Sequence, residues 1–416
     1  MKDTIITGLD LGSTAVRLVV GQLFTDGGER KLQLLGAVEH PSMGISRGSI
    51  TSIDDAAQAI SVCLEKAERI TGIPIDTAWV GISGTTIMSQ SSKGIVAVGK
   101  VNGEISKQDL ERALEAARAI ATPPNYEILH VIPRAAIIDG QIQIKDPIGM
   151  TGSRLEVDTL IIQAFTSEIR NYTKCIYRTG LEIEDLVFSV LATAEGVMTQ
   201  RQKELGAVLI NIGKSITTMV VYEGGELLHT AVLPIGSDHI TQDIGIGLKV
   251  SPDTAEKIKL EYGNLCFSDA EKKMEIDLSL IDPAEEGRVT VKYVSQIIEA
   301  RVEEIFDKVQ EELKKIGKAG ILPAGCILTG GGSKLAGMLE SSKKFLKLPA
   351  SYAGVKNIVN PMEKVFDQSY TTAIGLAFWG LSFYHNRAKG SGFLSNLDDS
   401  LDIKGRVNKW FKSLLP

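Results

Sequence analysis

Cysteine is scarce in this 416-residue chain: Cys63, Cys175, Cys266 and Cys326 are the only four, at least 60 residues apart and with no CxxC pair. Such spacing excludes a disulfide framework and a zinc ribbon, and reads as small buried hydrophobes in a reducing compartment. The five histidines are scattered with no HExxH, which disfavours a zinc hydrolase. No GxSxG is present, so nucleophile-elbow hydrolases drop out. An excess of positive charge is also missing: 45 basic against 51 acidic residues give −6, which argues against a general nucleic-acid binder. No stretch approaches the roughly 18 consecutive apolar residues of a membrane span. The best N-terminal candidate, Ile5 to Leu23, carries Asp10 and Arg17 and is neither signal peptide nor anchor. Apolar residues make up 44% of the chain, enough for buried cores in two or three domains of about 150 residues. These sums describe a soluble, mildly acidic, cytosolic α/β protein.

The chain also repeats itself. Ile6–Gly21 reads ITGLDLGSTAVRLVVG and Leu209–Gly224 reads LINIGKSITTMVVYEG. At an offset of 201, Asp10 faces Asn211, Gly12 faces Gly213, and Thr14 faces Ser215. Each segment is an apolar strand, a glycine- and hydroxyl-bearing turn and a second apolar strand. That is a β-hairpin whose turn offers N–H groups and hydroxyls to an anion. One such hairpin is commonplace; two in register, half a chain apart, point to a duplicated unit. A third glycine element, GCILTGGGSKL (Gly325–Leu335), predicts a strand, a glycine triplet permitting close approach of a ligand, and a helix from about Lys334 capped by Ser333. A Walker A loop is excluded, because Val208 stands where Gly213-Lys214-Ser215 would require the first glycine.

These elements resemble the actin/Hsp70/sugar-kinase superfamily, in which two similar halves clamp a nucleotide. Within it, the chain is similar over nearly its whole length to the FtsA family of bacterial cell-division proteins. The stretches that carry the likeness are DGQIQIKDPIGMTGSRLEV (Asp139–Val157), LATAEGVMTQRQKELGAVLINIG (Leu191–Gly213), AVLPIGSDHITQDIGIGL (Ala231–Leu248), AEKIKLEYG (Ala255–Gly263) and TAIGLAFWG (Thr372–Gly380). The resemblance implies an α/β, actin-like (ribonuclease H-like, duplicated) fold with two lobes, a small inserted α+β subdomain 1C, and a C-terminal amphipathic helix. Its segments would be 1A (1–82), 1C (83–165), 1A again (166–195), 2A (196–240), 2B (241–310), 2A again (311–360), the end of 1A (361–386), a linker (387–402) and the terminal helix (403–416). Within these, apolar spacing predicts helices over Asp54–Thr71, over SKQDLERALEAARAIA with Ser106 as N-cap, and over Val291–Ile316 ahead of Gly317.

By resemblance, Asp10 would reach Mg²⁺ through water, as suits a hard cation that prefers oxygen, while Gly12, Ser13 and Thr14 hold phosphate oxygens. Gly330, Gly331 and Gly332 would form the wall of the base and ribose of ATP, with Glu256 and Lys259 near the ribose. The second hairpin departs from the family's Asp-Ile-Gly-Gly-Gly-Thr: it reads Asn211-Ile212-Gly213-Lys214-Ser215. A metal-side carboxylate has become an amide, and Cβ atoms replace glycines. Two readings stand open. Lys214 supplies charge to the phosphates and alters metal dependence, or the site is degenerate and nucleotide binds weakly or structurally. Either implies slow or absent ATPase activity, because charge positioning carries phosphoryl transfer.

The family's 2B binds the C-terminal tail of the tubulin-like protein FtsZ. On the long helix Arg301, then Lys292, are the contacts the resemblance points to; for any one such charge an ordinary solvated face is the default reading. Subdomain 1C would serve self-association into filaments and contact with other division proteins, or be a plain structural insertion. The final stretch IKGRVNKWFKSLLP places Ile403, Val407, Trp410, Phe411, Leu414 and Leu415 within an arc of about 140° on a helical wheel. Lys404, Arg406, Lys409 and Lys412 are its only charged side chains, so +4 sits in the foot and −10 in the rest. A basic polar face, aromatics on the apolar face and a polar tether describe an in-plane membrane helix; the bland alternative is a helix docked on the chain's own core. Together these imply action at the cytoplasmic face of the membrane at the division site. A pilus-assembly actin-like protein and a sugar or acetate kinase are the alternatives, the first not expected to carry the tail, the second lacking a recognisable catalytic aspartate constellation.

Overall fold

The computed structural model describes residues 4–26, 29–268, 271–355, 357–359 and 362–389. Two sheets of matching pattern organise them. In the first, Ile5–Leu11, Ala15–Asp26 and Glu29–Pro41 form an antiparallel meander, and Thr77–Ile82 and Glu182–Phe188 add in parallel beyond Ile5–Leu11. In the second, Ala207–Ile212, Thr217–Glu223 and Glu226–Leu233 form the meander, and Gly325–Thr329 and Ala350–Tyr352 add in parallel beyond Ala207–Ile212. The repeated sequence segments are thus the first hairpin of each sheet. Their central strands are apolar almost without interruption because helices cover both faces.

Local signals explain the helices. Ile53–Thr71 starts at Ser52, whose hydroxyl accepts from the Asp55 N–H, and stops at Gly72 in the left-handed region (φ +68°). Thr371–Lys389 crosses the first sheet so closely that a Cβ on Gly8 would lie 2.2 Å from the Ala373 carbonyl oxygen, a contact only glycine allows. The helix continues through Lys389, past residue 386 where the first lobe was expected to end. Val291–Lys315 buries Val294, Ile298, Val302, Ile305, Val309 and Leu313 against the second lobe. The rest of the linker and the expected amphipathic helix, residues 390–416, lie outside the described residues.

Between the first lobe's strands sits a separate four-stranded sheet (Met88–Ala97, Arg154–Phe165, Tyr126–Ile138, Ile142–Ile144 in spatial order) with one helix, Lys107–Ala121, started by a Ser106–Asp109 capping box. This insert is anchored on both lobes. Toward the first, buried His130 accepts through Nε2 from the Phe188 N–H at 3.0 Å, and burial pushes its pKa down to about 4, so the ring stays neutral. Toward the second, Ser89 donates to the Thr230 carbonyl (2.9 Å), Arg134 to the Leu228 carbonyl (3.2 Å) and Lys145 to the Gly224 carbonyl (2.5 Å). Two of those acceptors belong to the edge strand Glu226–Leu233, whose open side the insert therefore covers.

Two expectations need correction. Cys63, Cys175 and Cys326 are buried, but Cys266 is exposed, because it lies in a loop rather than on a packed element. The glycine triplet does not run into an α-helix at Lys334. Gly331–Lys334 is a 3₁₀ turn, Ser333 Oγ donates back to the Gly330 carbonyl at 2.7 Å, and the α-helix begins only at Met338. Backbone packing against the second hairpin sets that conformation.

Candidate functional site

Both hairpin turns and the glycine triplet open onto one cleft of about 690 Å³ between the lobes, a volume typical of small-ligand sites. Asp10, Gly12, Ser13 and Thr14 line it from the first lobe. Asn211, Gly213, Lys214, Ser215, Glu256, Lys259, Gly330, Gly331 and Gly332 line it from the second.

The second hairpin is tied to the helix that follows its sheet: Ser237 N–H donates to the Gly213 carbonyl (3.0 Å) and Asp238 N–H to the Lys214 carbonyl (2.7 Å). Beneath it, Gly330 adopts φ +86°, and a Cβ there would stand 2.2 Å from Asn211 Oδ1 and 2.5 Å from the Ile212 carbonyl oxygen. The triplet is thus a backbone floor pressed against the hairpin. On the second lobe's wall of the cleft, Lys259 Nζ donates to Glu256 (2.6 Å) and to Thr241 Oγ1 (2.8 Å), while Thr241 donates to the same Glu256 oxygen (2.5 Å). Burial alone would raise the Glu256 pKa; hydrogen bonds from Lys259 and Thr241 and the fields of Lys259 and Lys214 outweigh it and hold the carboxyl low.

The lobes meet through polar links at the back of the cleft. Asn211 Nδ2 donates to Thr372 Oγ1 (3.2 Å), Thr329 Oγ1 lies 2.7 Å from Thr371 Oγ1, and Gly330 N–H donates to the Gln368 carbonyl (3.2 Å). At the mouth, Lys334 pairs with Asp367 at 3.0 Å. Neither this bridge nor Arg17 was expected from sequence. Arg17 is the cross-strand partner of Asp10, lines the cleft, pairs with Glu39 at 3.1 Å and lies 5.6 Å from the Tyr370 ring centroid. The hairpin register would have revealed its position, since a turn over Gly12–Ala15 sets residue 17 opposite residue 10.

Burial raises the Asp10 pKa to about 6, with the nearby Arg17 opposing the rise. Since the unfolded carboxyl titrates at 3.8, the folded state binds the extra proton between the two values, and stability falls as pH rises across that window. Asp10→Asn is therefore expected to stabilise the nucleotide-free protein near neutral pH by at most about 3 kcal/mol. The gain should vanish below pH about 4, where both carboxyls are protonated. Urea melts at the two pH values check this; an equal gain at both would contradict it.

A divalent cation fits this site from one side only. Asp10 is a desolvated carboxylate that a hard cation would relieve, whereas the corresponding Asn211 is a neutral amide already bonded to Thr372. Among the described residues no group of three or more histidines, cysteines and acids stands together.

Arg301 lies away from the cleft. Its guanidinium is bidentate on Asp243 (2.5 and 2.7 Å) and also contacts Glu304. Lys292 is exposed in the first turn of the same helix. Nine residues at about 100° each set the two on opposite flanks. Sharing the Arg301 flank are Tyr293, whose hydroxyl donates to the Gly247 carbonyl (3.4 Å), and, on the neighbouring helix, exposed Ile246.

Comparison with known proteins decides the family. The chain is 32% identical over 409 residues to the cell division protein FtsA of Pseudomonas aeruginosa, covering 97% of each. It is 35% identical over 375 residues to that of Bacillus subtilis, covering 90% of this chain and 83% of the relative. The chain belongs to the FtsA family. The family model for cell division protein FtsA matches residues 208–375, and that for the SHS2 domain inserted in FtsA matches 84–163, the latter spanning the insert. Solved structures establish the actin-like fold of this FtsA-family chain. A chain of a PilM–PilN type IV pilus biogenesis complex superposes with TM-score 0.64 at 17% identity, covering 90% of this chain and 98% of that one. MreB5 of Spiroplasma citri bound to ADP does so with 0.56 at 13%, covering 92% and 98%. At such identities the likeness concerns fold alone, so the pilus protein lends no function. Among the described residues of the FtsA-family chain, no helix is long and apolar enough to cross a membrane.

Proposed function

We propose that this cell-division protein is a nucleotide-binding scaffold that links FtsZ filaments to the cytoplasmic membrane at the division site and assembles there with further copies of itself. The cleft carries the nucleotide part of the reading: two duplicated lobes present anion-cradling turns to one volume, over a glycine floor and beside the Glu256–Lys259 pair. Spiroplasma citri MreB5, which shares the fold, binds ADP and AMPPNP, in keeping with ATP as the ligand here. Mg²⁺ would approach through water at Asp10. With no carboxylate at residue 211, ATP is held with little or no hydrolysis.

For partners, the Arg301 flank combines a cation with accessible apolar area: Ile246 is 77% and Tyr293 46% exposed. Such a surface fits a peptide that docks apolar side chains and exchanges its own acid for Glu304 or Asp243 on Arg301, and it is here that we place the FtsZ tail. On the insert, the hydrogen bonds Ile105 N–H to the Met150 carbonyl (2.8 Å) and Gly152 N–H to the Gly103 carbonyl (2.9 Å) draw two loops together. Val101, Ile148 and Met150 are exposed there and would meet another copy or other division proteins. Membrane attachment rests on residues 403–416.

Fluorescence anisotropy with an FtsZ tail peptide tests the partner site. Ile246→Asp is expected to weaken binding about tenfold with an unchanged Tm, since no packing is lost. Arg301→Glu is expected to weaken it and also to lower stability by about 2 kcal/mol, by facing Asp243 and Glu304 with a third acid. Lys292→Glu, on the other flank, should do much less. Wild-type affinity in both Ile246→Asp and Arg301→Glu would remove the tail from this face.

A further inference from the structure

The duplication sets corresponding positions of the two hairpins against the same cleft, and their charges differ. Where the first has Asp10 and Ser13, the second has Asn211 and Lys214. The Asn211 amide is spent on Thr372. Lys214 is exposed, lines the cleft and has no ion-pair partner among the described residues. The other cleft cations are engaged: Lys259 on Glu256 at 2.6 Å, Lys334 on Asp367 at 3.0 Å and Arg17 on Glu39 at 3.1 Å. The field of Lys214 reaches Glu256, where it helps to hold that carboxyl low. Lys214 also sits on a rigid base, because its own carbonyl accepts from Asp238 N–H and the preceding Gly213 carbonyl from Ser237 N–H.

An unpaired ammonium on a flexible stem, projecting from a pinned turn, is a point charge suited to phosphate oxygens. A metal could draw on Asp10 alone, because the second hairpin offers no carboxylate, so the positive charge on that side has to come from elsewhere. We propose that Lys214 supplies the positive charge that holds the terminal phosphates, so that this chain binds nucleoside triphosphate without needing a divalent cation. The assignment rests on the cleft being a nucleotide site. Because a lysine reads charge and not the base, its contribution grows with the number of phosphates.

The test is equilibrium binding of ATP, ADP and AMP to the full chain by calorimetry, in magnesium and in EDTA. Wild-type affinity for ATP should differ less than about threefold between the two conditions, well under the tenfold that 1.4 kcal/mol represents. Lys214→Ala should cost about tenfold or more for ATP in EDTA, less for ADP and little for AMP, while Lys214→Arg retains most of the affinity. The double variant Asn211→Asp, Lys214→Gly should bind ATP only with magnesium. Lys214 is exposed, so thermal melts should show all single variants folded. Loss of wild-type ATP binding in EDTA alone, or wild-type ATP affinity of Lys214→Ala in EDTA, would overturn the assignment. Failure to bind ATP in either condition would overturn the nucleotide reading beneath it, and the assignment with it.

Discussion

Alanine at Gly330 is expected to destabilise the protein by about 3–5 kcal/mol and to abolish nucleotide binding, whereas alanine at the adjacent Gly331 should change stability by less than about 1 kcal/mol. The contrast is geometric. At Gly330 the backbone is left-handed (φ +86°), and a Cβ would collide with Asn211 Oδ1 at 2.2 Å and the Ile212 carbonyl oxygen at 2.5 Å, both belonging to the second hairpin that lines the cleft. Relief requires moving either that hairpin or the triplet. The triplet's own N–H is bonded across to Gln368 of the other lobe, so the displacement would also open the back of the cleft. At Gly331 the nearest atom to a Cβ is Ser369 Oγ at 3.6 Å, an ordinary contact, and φ is unexceptional. Gly332 belongs with Gly330, since a Cβ there meets Ile212 Cγ2 at 2.6 Å. Chemical denaturation and ATP calorimetry on the single variants would show this order; equal costs at positions 330 and 331 would mean that the floor of the cleft is not a tight backbone contact.

Deleting residues 403–416 should lower binding to anionic vesicles by at least about a hundredfold while leaving nucleotide affinity unchanged. The segment's four cations each gain about 1 kcal/mol near an anionic surface. Its Trp410, Phe411 and leucine side chains would add several kcal/mol on inserting at the boundary of headgroups and acyl chains. Together they exceed the roughly 2.7 kcal/mol that a hundredfold requires. The attraction should weaken with salt, because the charge part is screened within about 8–10 Å. Sedimentation with liposomes at two ionic strengths separates the contributions. Undiminished sedimentation of the truncated chain would exclude the tail as the anchor and favour its docking on the chain's own core.

How far the sequence reveals this molecule depends on the range of the interaction. Both hairpins are legible because each is a local event: β-branched runs on either side of a glycine- and hydroxyl-bearing turn. The helices at Ile53–Thr71, Lys107–Ala121 and Val291–Lys315 are legible for the same reason, through their caps and apolar stripes. The glycine triplet is legible as a place of close approach but not in its consequence. Its contact with Ile212, a residue from a distant part of the sequence, shapes the backbone beyond it, so a 3₁₀ turn stands where a capped helix was expected. Arg301 is legible as a solvent-side cation, but its partner Asp243 is supplied by a different helix. The links that join the lobes, Asn211–Thr372 and Lys334–Asp367, pair residues distant in sequence, and no periodicity encodes such pairs. Lys214 is the instructive middle case. Its departure from the first hairpin is visible in sequence, yet only the structure shows that it alone among the described cleft cations lacks a counterion.

The central claim, that this FtsA-family chain couples FtsZ filaments to membrane, is tested most directly by imaging labelled FtsZ from the same organism on anionic vesicles in the presence of the full chain. FtsZ should accumulate on the vesicle surface with the full-length protein. It should remain in solution when residues 403–416 are removed or when Ile246→Asp and Arg301→Glu are combined. FtsZ that stays in solution although the full chain coats the vesicles, or that is recruited equally well without the tail, would contradict it.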